Sequence, residues 1–142
     1  MNTKQLFRLF ALVSILTLAG GLLFAAPSPE EEAQKSAEQW LALVDAGYYG
    51  ESWDAAAQYF KNAVPKDHWE HSLNAVRKPL GNLVTRKLTS AKYATSLPGA
   101  PDGEYVVLQF ETAFQNKMSA IETVTPMLDK DGKWRVSGYY IK

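Results

Sequence analysis

Tyr105-Val106-Val107-Leu108-Gln109-Phe110-Glu111-Thr112-Ala113-Phe114-Gln115 decides the fold. Val106, Leu108, Phe110 and Phe114 fall on one side of a period-two pattern, and Tyr105, Gln109, Glu111 and Gln115 on the other. That alternation predicts a strand with one face on a core. The same period begins just after Gly81, where residues 83–93 read as a strand containing Arg86. Residues 119–128 are a third strand, interrupted by Pro126, which points to an edge or a bulge. Trp134–Ile141 is the fourth, with Trp134, Val136 and Tyr140 expected on one face. Pro98-Gly99-Ala100-Pro101-Asp102-Gly103, Asn116-Lys117 and Asp131-Gly132 are the turns between them. Links this short make neighbouring strands antiparallel, because a parallel pair needs a long crossover.

Upstream the period is helical. Ser28 with Pro29 and Glu30-Glu31-Glu32 has the chemistry of a helix start: a cap, a proline in the first turn, acids at the positive dipole end. Ala33, Ala37, Trp40, Leu41 and Val44 then make one apolar stripe to about Asp45, and Gly47 stops it. Tyr48-Tyr49-Gly50 reads as a turn and Ser52 as the cap of a second helix, with Trp53, Ala56, Ala57 and Phe60 inward. A third helix opens at Lys66 or Asp67, carries Trp69, Leu73, Val76 and Leu80 on one face, and ends at Pro79 and Gly81. A sheet with one apolar face needs a cover, and the three helices supply it. The fold class is α+β: N-terminal helices packed on one face of a curved four-stranded antiparallel sheet, in the order αααββββ.

The chain has 142 residues, which allows one domain, and its 15 basic and 15 acidic residues balance. A balanced charge speaks against a dedicated nucleic-acid binder. The lack of cysteine excludes disulfides, Cys-ligated zinc, iron–sulfur clusters and thiol catalysis. Lys4 and Arg8 are the only charges before Glu30, and residues 9–26 are almost wholly apolar, with small residues at the end. Residues 1–26 therefore read as a secretory signal peptide, with an uncleaved membrane anchor as the alternative. Residues 27–142 form the single mature domain, periplasmic or secreted. Contact with a membrane is expected only through an uncleaved N-terminus.

The sequence from Trp40-Leu41-x-Leu43-Val44-Asp45-x-Gly47-x-Tyr49 to Ser52-Trp53 carries a distinctive pattern. It continues in Arg77-x-Pro79-Leu80-Gly81, Leu97-Pro98-Gly99-x-Pro101-x-Gly103-x-Tyr105 and Gly132-x-Trp134-x-Val136-x-Gly138-Tyr139. Together with Arg86, Phe114, Lys117 and Glu122-x-Val124-Thr125, this resembles the bacterial DUF4019 family over nearly all of residues 33–142. The resemblance implies a short exported or membrane-linked protein and supplies no mechanism. The helix-then-sheet order is also similar to NTF2-like cone folds, which host both enzymes and binding modules.

Arg86, Glu111 and Glu122 are charges inside strands. Glu122 is in phase with Ala120, Val124 and Leu128, so it points to the apolar side and needs a partner such as Arg86. The pair is then either a buried ion pair that fixes strand register or the floor of a pocket. Tyr105 and Tyr139 are the tyrosines placed beside that candidate pocket; the alternative is that such hydroxyls anchor turns. His68 and His71 are the only histidines, three apart on one helix. They are the only candidate metal ligands and lack the third partner of a catalytic zinc site and the spacing of H-E-x-x-H. No metal site and no cofactor is expected. Trp40, Trp53, Phe60 and Trp69 sit at core spacing. No nucleophile motif and no phosphate-binding loop occurs.

The residues favour a non-catalytic exported domain that binds an envelope protein or a small ligand. The competing reading is a small hydrolase or isomerase using Glu122 with Arg86 or a tyrosine. A third is a structural envelope module, dimeric through an exposed sheet face.

Overall fold

The computed structural model describes residues 21–142. Residues 1–20, most of the segment read as an export signal, lie outside them. No helix among the described residues is long and apolar enough to cross a membrane.

Helix α1 (Pro29–Asp45) starts as its sequence dictates. The Ser28 hydroxyl accepts from the Glu31 N–H, and the Glu31 carboxylate accepts from the Ser28 N–H, a reciprocal capping box. Gly47, at φ 81°, ends it. The stripe Ala33, Ala37, Trp40, Leu41 and Val44 is buried. It lies across the sheet, and α1 touches all four strands.

The expected second helix is two. Helix α2 (Tyr49–Asp54) and α3 (Gln58–Ala63) are separated where Ala57 turns extended. The Ala57 N–H leaves the helical ladder and donates to the Val136 carbonyl on the sheet, 2.8 Å away. The predicted burial survives the break: Ala56, Ala57 and Phe60 are all inside. Ser52 is not a cap, and Tyr49-Gly50 is not a turn but the start of α2. Ser52 sits buried within α2, where its carbonyl accepts from the Trp40 indole and its hydroxyl from the Trp69 indole, at 2.8 and 2.9 Å. One serine thereby satisfies two buried indole N–H groups from α1 and α4. Helix α4 (Lys66–Val76) stops earlier than expected, and a short 3-10 turn, Lys78–Leu80, leads to Gly81. Val76, expected inside, is exposed.

The strands are β1 (Leu83–Ala94), β2 (Tyr105–Phe114), β3 (Lys117–Leu128) and β4 (Trp134–Ile141), in the spatial order β1-β2-β3-β4 with every pair antiparallel. The architecture is α+β, helices on a four-stranded antiparallel sheet. The β2–β3 link is Gln115-Asn116, one residue earlier than expected.

Pro126 lies on an interior strand and sits at a bulge. The register runs Thr125↔Gly138 and then Pro126↔Val136, so Ser137 is the extra residue. Proline has no N–H for the ladder, and the bulge falls where that donor is missing. Two side-chain directions follow. Val136 and Tyr139 both face the helices, although three residues apart, and Tyr140 faces out. The expected Trp134–Val136–Tyr140 face is corrected to Trp134–Val136–Tyr139, because one inserted residue reverses the pleat.

The inner sheet face carries Val106, Leu108, Phe110, Val124 and Val136 against α1. Leu108 is fully enclosed. Replacing it with alanine is expected to cost about 3 kcal/mol in urea unfolding, by lost transfer energy plus a cavity. Ile121→Ala, on the exposed outer face, is expected to stay within about 0.5 kcal/mol.

Candidate functional site

Four inner-face residues, one from each strand, meet beneath the end of α1: Arg86 on β1, Thr112 on β2, Glu122 on β3 and Tyr139 on β4. Glu122 is wholly buried. Its Oε1 accepts from Arg86 Nε and from the Thr112 hydroxyl, both at 2.7 Å. Its Oε2 accepts from Arg86 Nη2 at 3.2 Å and from the Tyr139 hydroxyl. A carboxylate has about four acceptor positions, and here four donors fill them.

The chain of charge continues away from the sheet. Arg86 Nη1 and Nη2 donate to the two carboxylate oxygens of Asp45 at 2.7 and 3.0 Å. Asp45 also accepts from Arg77 Nη2 at 3.2 Å, and Arg77 Nη1 donates to the Gly81 carbonyl at 2.6 Å. The Arg77 guanidinium lies 4.3 Å from the Phe114 ring centroid, a cation–π contact. Two guanidiniums and two carboxylates thus form one neutral cluster tying α1, the end of α4 and the sheet. Burial works against the Arg86 charge, but hydrogen bonds to Asp45 and Glu122 outweigh it and hold its pKa above the ordinary arginine value. Burial, and next the Glu122 charge, push the Tyr139 phenol above its ordinary 10.0. Tyr139 is a fixed donor.

The sequence paired Arg86 with Glu122, and the structure joins them, with Tyr139 as a third member. Tyr105 stands apart, which corrects its placement beside the pair. It is buried, outside the main core cluster, and its hydroxyl donates to the Pro101 carbonyl at 2.6 Å, anchoring the β1–β2 loop. His68 and His71 are exposed on α4. Among the described residues no group of three or more His, Asp or Glu side chains is placed to hold a metal ion.

Asp45, Thr112 and Arg77 were not singled out by sequence reasoning as site residues. Each left a trace. An acid in the last turn of a helix opposes the macrodipole and signals a cation nearby. Thr112 interrupts the apolar face that runs from Val106 to Phe114, and Arg77 opens the Arg77-x-Pro79-Leu80-Gly81 motif.

Neither Arg86 nor Glu122 borders any of three surface concavities. The largest, about 830 Å³, is an open groove between α3, residues 101–103 and the β3–β4 hairpin. A cleft of about 200 Å³ lies between α4 and the end of β4, where Tyr139 forms part of the wall. The third, about 360 Å³, is a polar hollow between the start of α2 and α4.

Residues 36–139, most of the chain, match the family described as "Protein of unknown function (DUF4019)". The chain belongs to the DUF4019 family. Among solved structures, this DUF4019 domain is similar to a protein from Catenulispora acidiphila, at 12% identity and a TM-score of 0.51. That likeness covers 78% of this chain and 88% of the other, and it speaks to the fold alone. No curated protein matches the chain.

Arg86→Met leaves the Glu122 charge uncompensated, and the expected loss is about 3–5 kcal/mol in denaturant unfolding. Tyr139→Phe removes one hydrogen bond to a charged group, for an expected loss of about 1.5–3 kcal/mol. The second loss carries a pH signature. The folded phenol keeps its proton above the ordinary value of 10.0, so the unfolded chain ionises first. The Tyr139 contribution is complete below that pH and declines above it. Unfolding curves from pH 8 to 11 should show the wild type converging on Tyr139→Phe at the alkaline end; a constant gap would contradict the assignment.

Proposed function

We propose that this DUF4019 domain is an exported, non-catalytic binding module of the cell envelope. Its ligand site is the groove between α3 and the β3–β4 hairpin. The basic and then apolar N-terminal pattern supports export. The groove, at about 830 Å³, has the size of small-ligand sites.

The observation that carries the reading is the saturation of Glu122. A general base needs a free lone pair within reach of a substrate proton. Here all four acceptor positions are occupied by donors of the protein itself, and the carboxylate borders none of the three concavities. Of the network residues, Tyr139 alone lines one of these three concavities, and its phenol is held protonated. The interior charges therefore serve the fold, and the groove is left for recognition.

The test is a mixed small-molecule screen by ¹⁵N–¹H NMR on protein expressed from the full chain. Shifts are expected to cluster at Tyr59, Pro101 neighbours and Met127–Leu128, which line the groove. Met127→Arg, which fills it, should abolish them, and the conservative Thr112→Ser should not. Shifts gathered instead around Tyr139 and α4, with turnover lost in Glu122→Gln, would overturn this reading for acid–base catalysis.

A further inference from the structure

The two edges of the sheet are finished differently. Strand β1 breaks its ladder twice, between Leu83 and Thr85 and between Leu88 and Ser90, and it carries Lys87 and Lys92. Bulges and lysines both discourage a further strand. On β4 the chain itself covers the first half of the edge. The Ser36 hydroxyl donates to the Trp134 carbonyl at 2.7 Å, and the Ala57 N–H to the Val136 carbonyl at 2.8 Å. Past Ser137, the stretch Gly138–Ile141 carries no bulge and no charge.

The ladder fixes which backbone groups face outward there. Ile121 and Lys142 exchange N–H···O=C bonds at 3.0 and 2.9 Å. In an antiparallel pair, residues bonded in this way alternate with residues that turn both backbone groups away from the neighbouring strand. The register Glu122↔Ile141, Thr123↔Tyr140 and Val124↔Tyr139 therefore turns the N–H and C=O of Tyr139 and Ile141 to the free edge. No backbone group among the described residues bonds to them on that side. The cleft of about 200 Å³ lies along the same stretch, with Tyr139 and Ile141 on one side, Leu73 and Val76 of α4 on the other, and no charged residue in its lining. It is smaller than the usual small-molecule site, which starts at about 300 Å³.

We propose that the end of β4 is a strand-addition site. An extended, uncharged segment of a partner protein pairs with Tyr139 and Ile141 as a fifth strand and sets one apolar side chain into the cleft against Leu73 and Val76. In this mode main-chain hydrogen bonds supply affinity, and the pocket for alternate side chains supplies specificity. A second folded copy fits less well. Val76 and Tyr140, 54% and 57% exposed, are the large apolar side chains left open at the cleft. They fall well short of the about 800 Å² that each partner of a stable interface buries. The cleft shares no lining residue with the α3–hairpin groove, so this site stands even if that groove takes no ligand.

The probe is the capped peptide acetyl-Thr-Thr-Val-Leu-Val-Thr-Thr-amide, titrated into ¹⁵N-labelled protein expressed from the full chain. Shifts are expected at Leu73–Val76 and Tyr139–Ile141, with amide exchange of Tyr139 and Ile141 slowed about fivefold or more at saturation. The same peptide with Asp for its central Leu is expected to bind at least about tenfold more weakly, the scale of one buried apolar side chain. Ile141→Pro deletes an N–H that faces the free edge, so the β3–β4 ladder survives while peptide affinity falls about fivefold or more. Val76→Lys, at an exposed helix position, should weaken binding from the opposite wall, which separates loss of the site from any misfolding of the proline variant. Shifts at the cleft without protection of the Tyr139 and Ile141 amides overturn strand pairing. Protection that grows with protein concentration in the absence of peptide assigns the edge to a second copy and overturns the partner segment. No shift at the cleft overturns the site.

Discussion

A carboxylate without solvent is the constraint around which this domain is arranged. Glu122 is enclosed between sheet and helices, where an isolated negative charge would cost several kcal/mol. The fold meets that cost with a guanidinium from β1, a hydroxyl from β2 and a phenol from β4. Each donor reaches the carboxylate only if its strand lies in one register. A slip of one residue would turn Arg86, Thr112 or Tyr139 to the outer face and strand the charge. The apolar pattern alone tolerates more ambiguity than this, because Val, Leu and Phe substitute for one another across a face. The ion cluster specifies register, and the apolar face supplies the bulk of the stability.

The same cluster explains an anomaly in α1. Asp45 occupies the last turn of the helix, where the macrodipole disfavours an acid, and no basic residue in that turn offsets it. Arg86 and Arg77 supply the missing positive charge from outside the helix. Helix α1 is consequently held at both ends by different means: a capping box at Ser28, and a two-arginine clamp at Asp45. Between them the Trp40 and Trp69 indoles both donate to Ser52, so the short helix α2 is joined to α1 and α4 through polar contacts inside an aromatic layer. The tilted Trp40–Trp69 and edge-on Trp40–Tyr139 contacts extend that layer to the network's own phenol.

With the interior filled, the three concavities lie at the surface. A helices-on-sheet fold can leave a hollow between its layers, and here Trp40, Phe110 and the Arg86–Glu122 cluster occupy that space. The loops are where the chain stays open. Residues 95–104 fold back on themselves, held by Tyr59 to Gly99, Gly103 to Thr95 and Tyr105 to Pro101. Three hydroxyl or amide contacts thus hold a glycine- and proline-rich loop as one wall of the groove. Loops positioned by a rigid scaffold are the usual seat of binding. The tyrosines that read as pocket residues in sequence divide accordingly: Tyr139 stabilises a buried charge, and Tyr105 holds a loop in place.

The sequence by itself determined the elements and their layering. A change of period after Gly81, a cap at Ser28, a stop at Gly47 and short turns between strands are local signals, read within a few residues. It also assigned Glu122 to the inner face with a partner such as Arg86, because period two assigns faces and a buried charge demands a partner. Tertiary structure decided the rest. The break between α2 and α3 depends on the Val136 carbonyl, far away in the chain, drawing the Ala57 N–H out of the helix. The reversal from Tyr140 to Tyr139 depends on the bulge that leaves Ser137 without a partner between Thr125↔Gly138 and Pro126↔Val136, a matter of register between two strands. Asp45, Thr112 and Arg77 joined the site only when packing brought the end of one helix over the edge strand. Face and period are written in neighbouring residues, whereas convergence of side chains from six separate segments exists only once the chain has closed on itself.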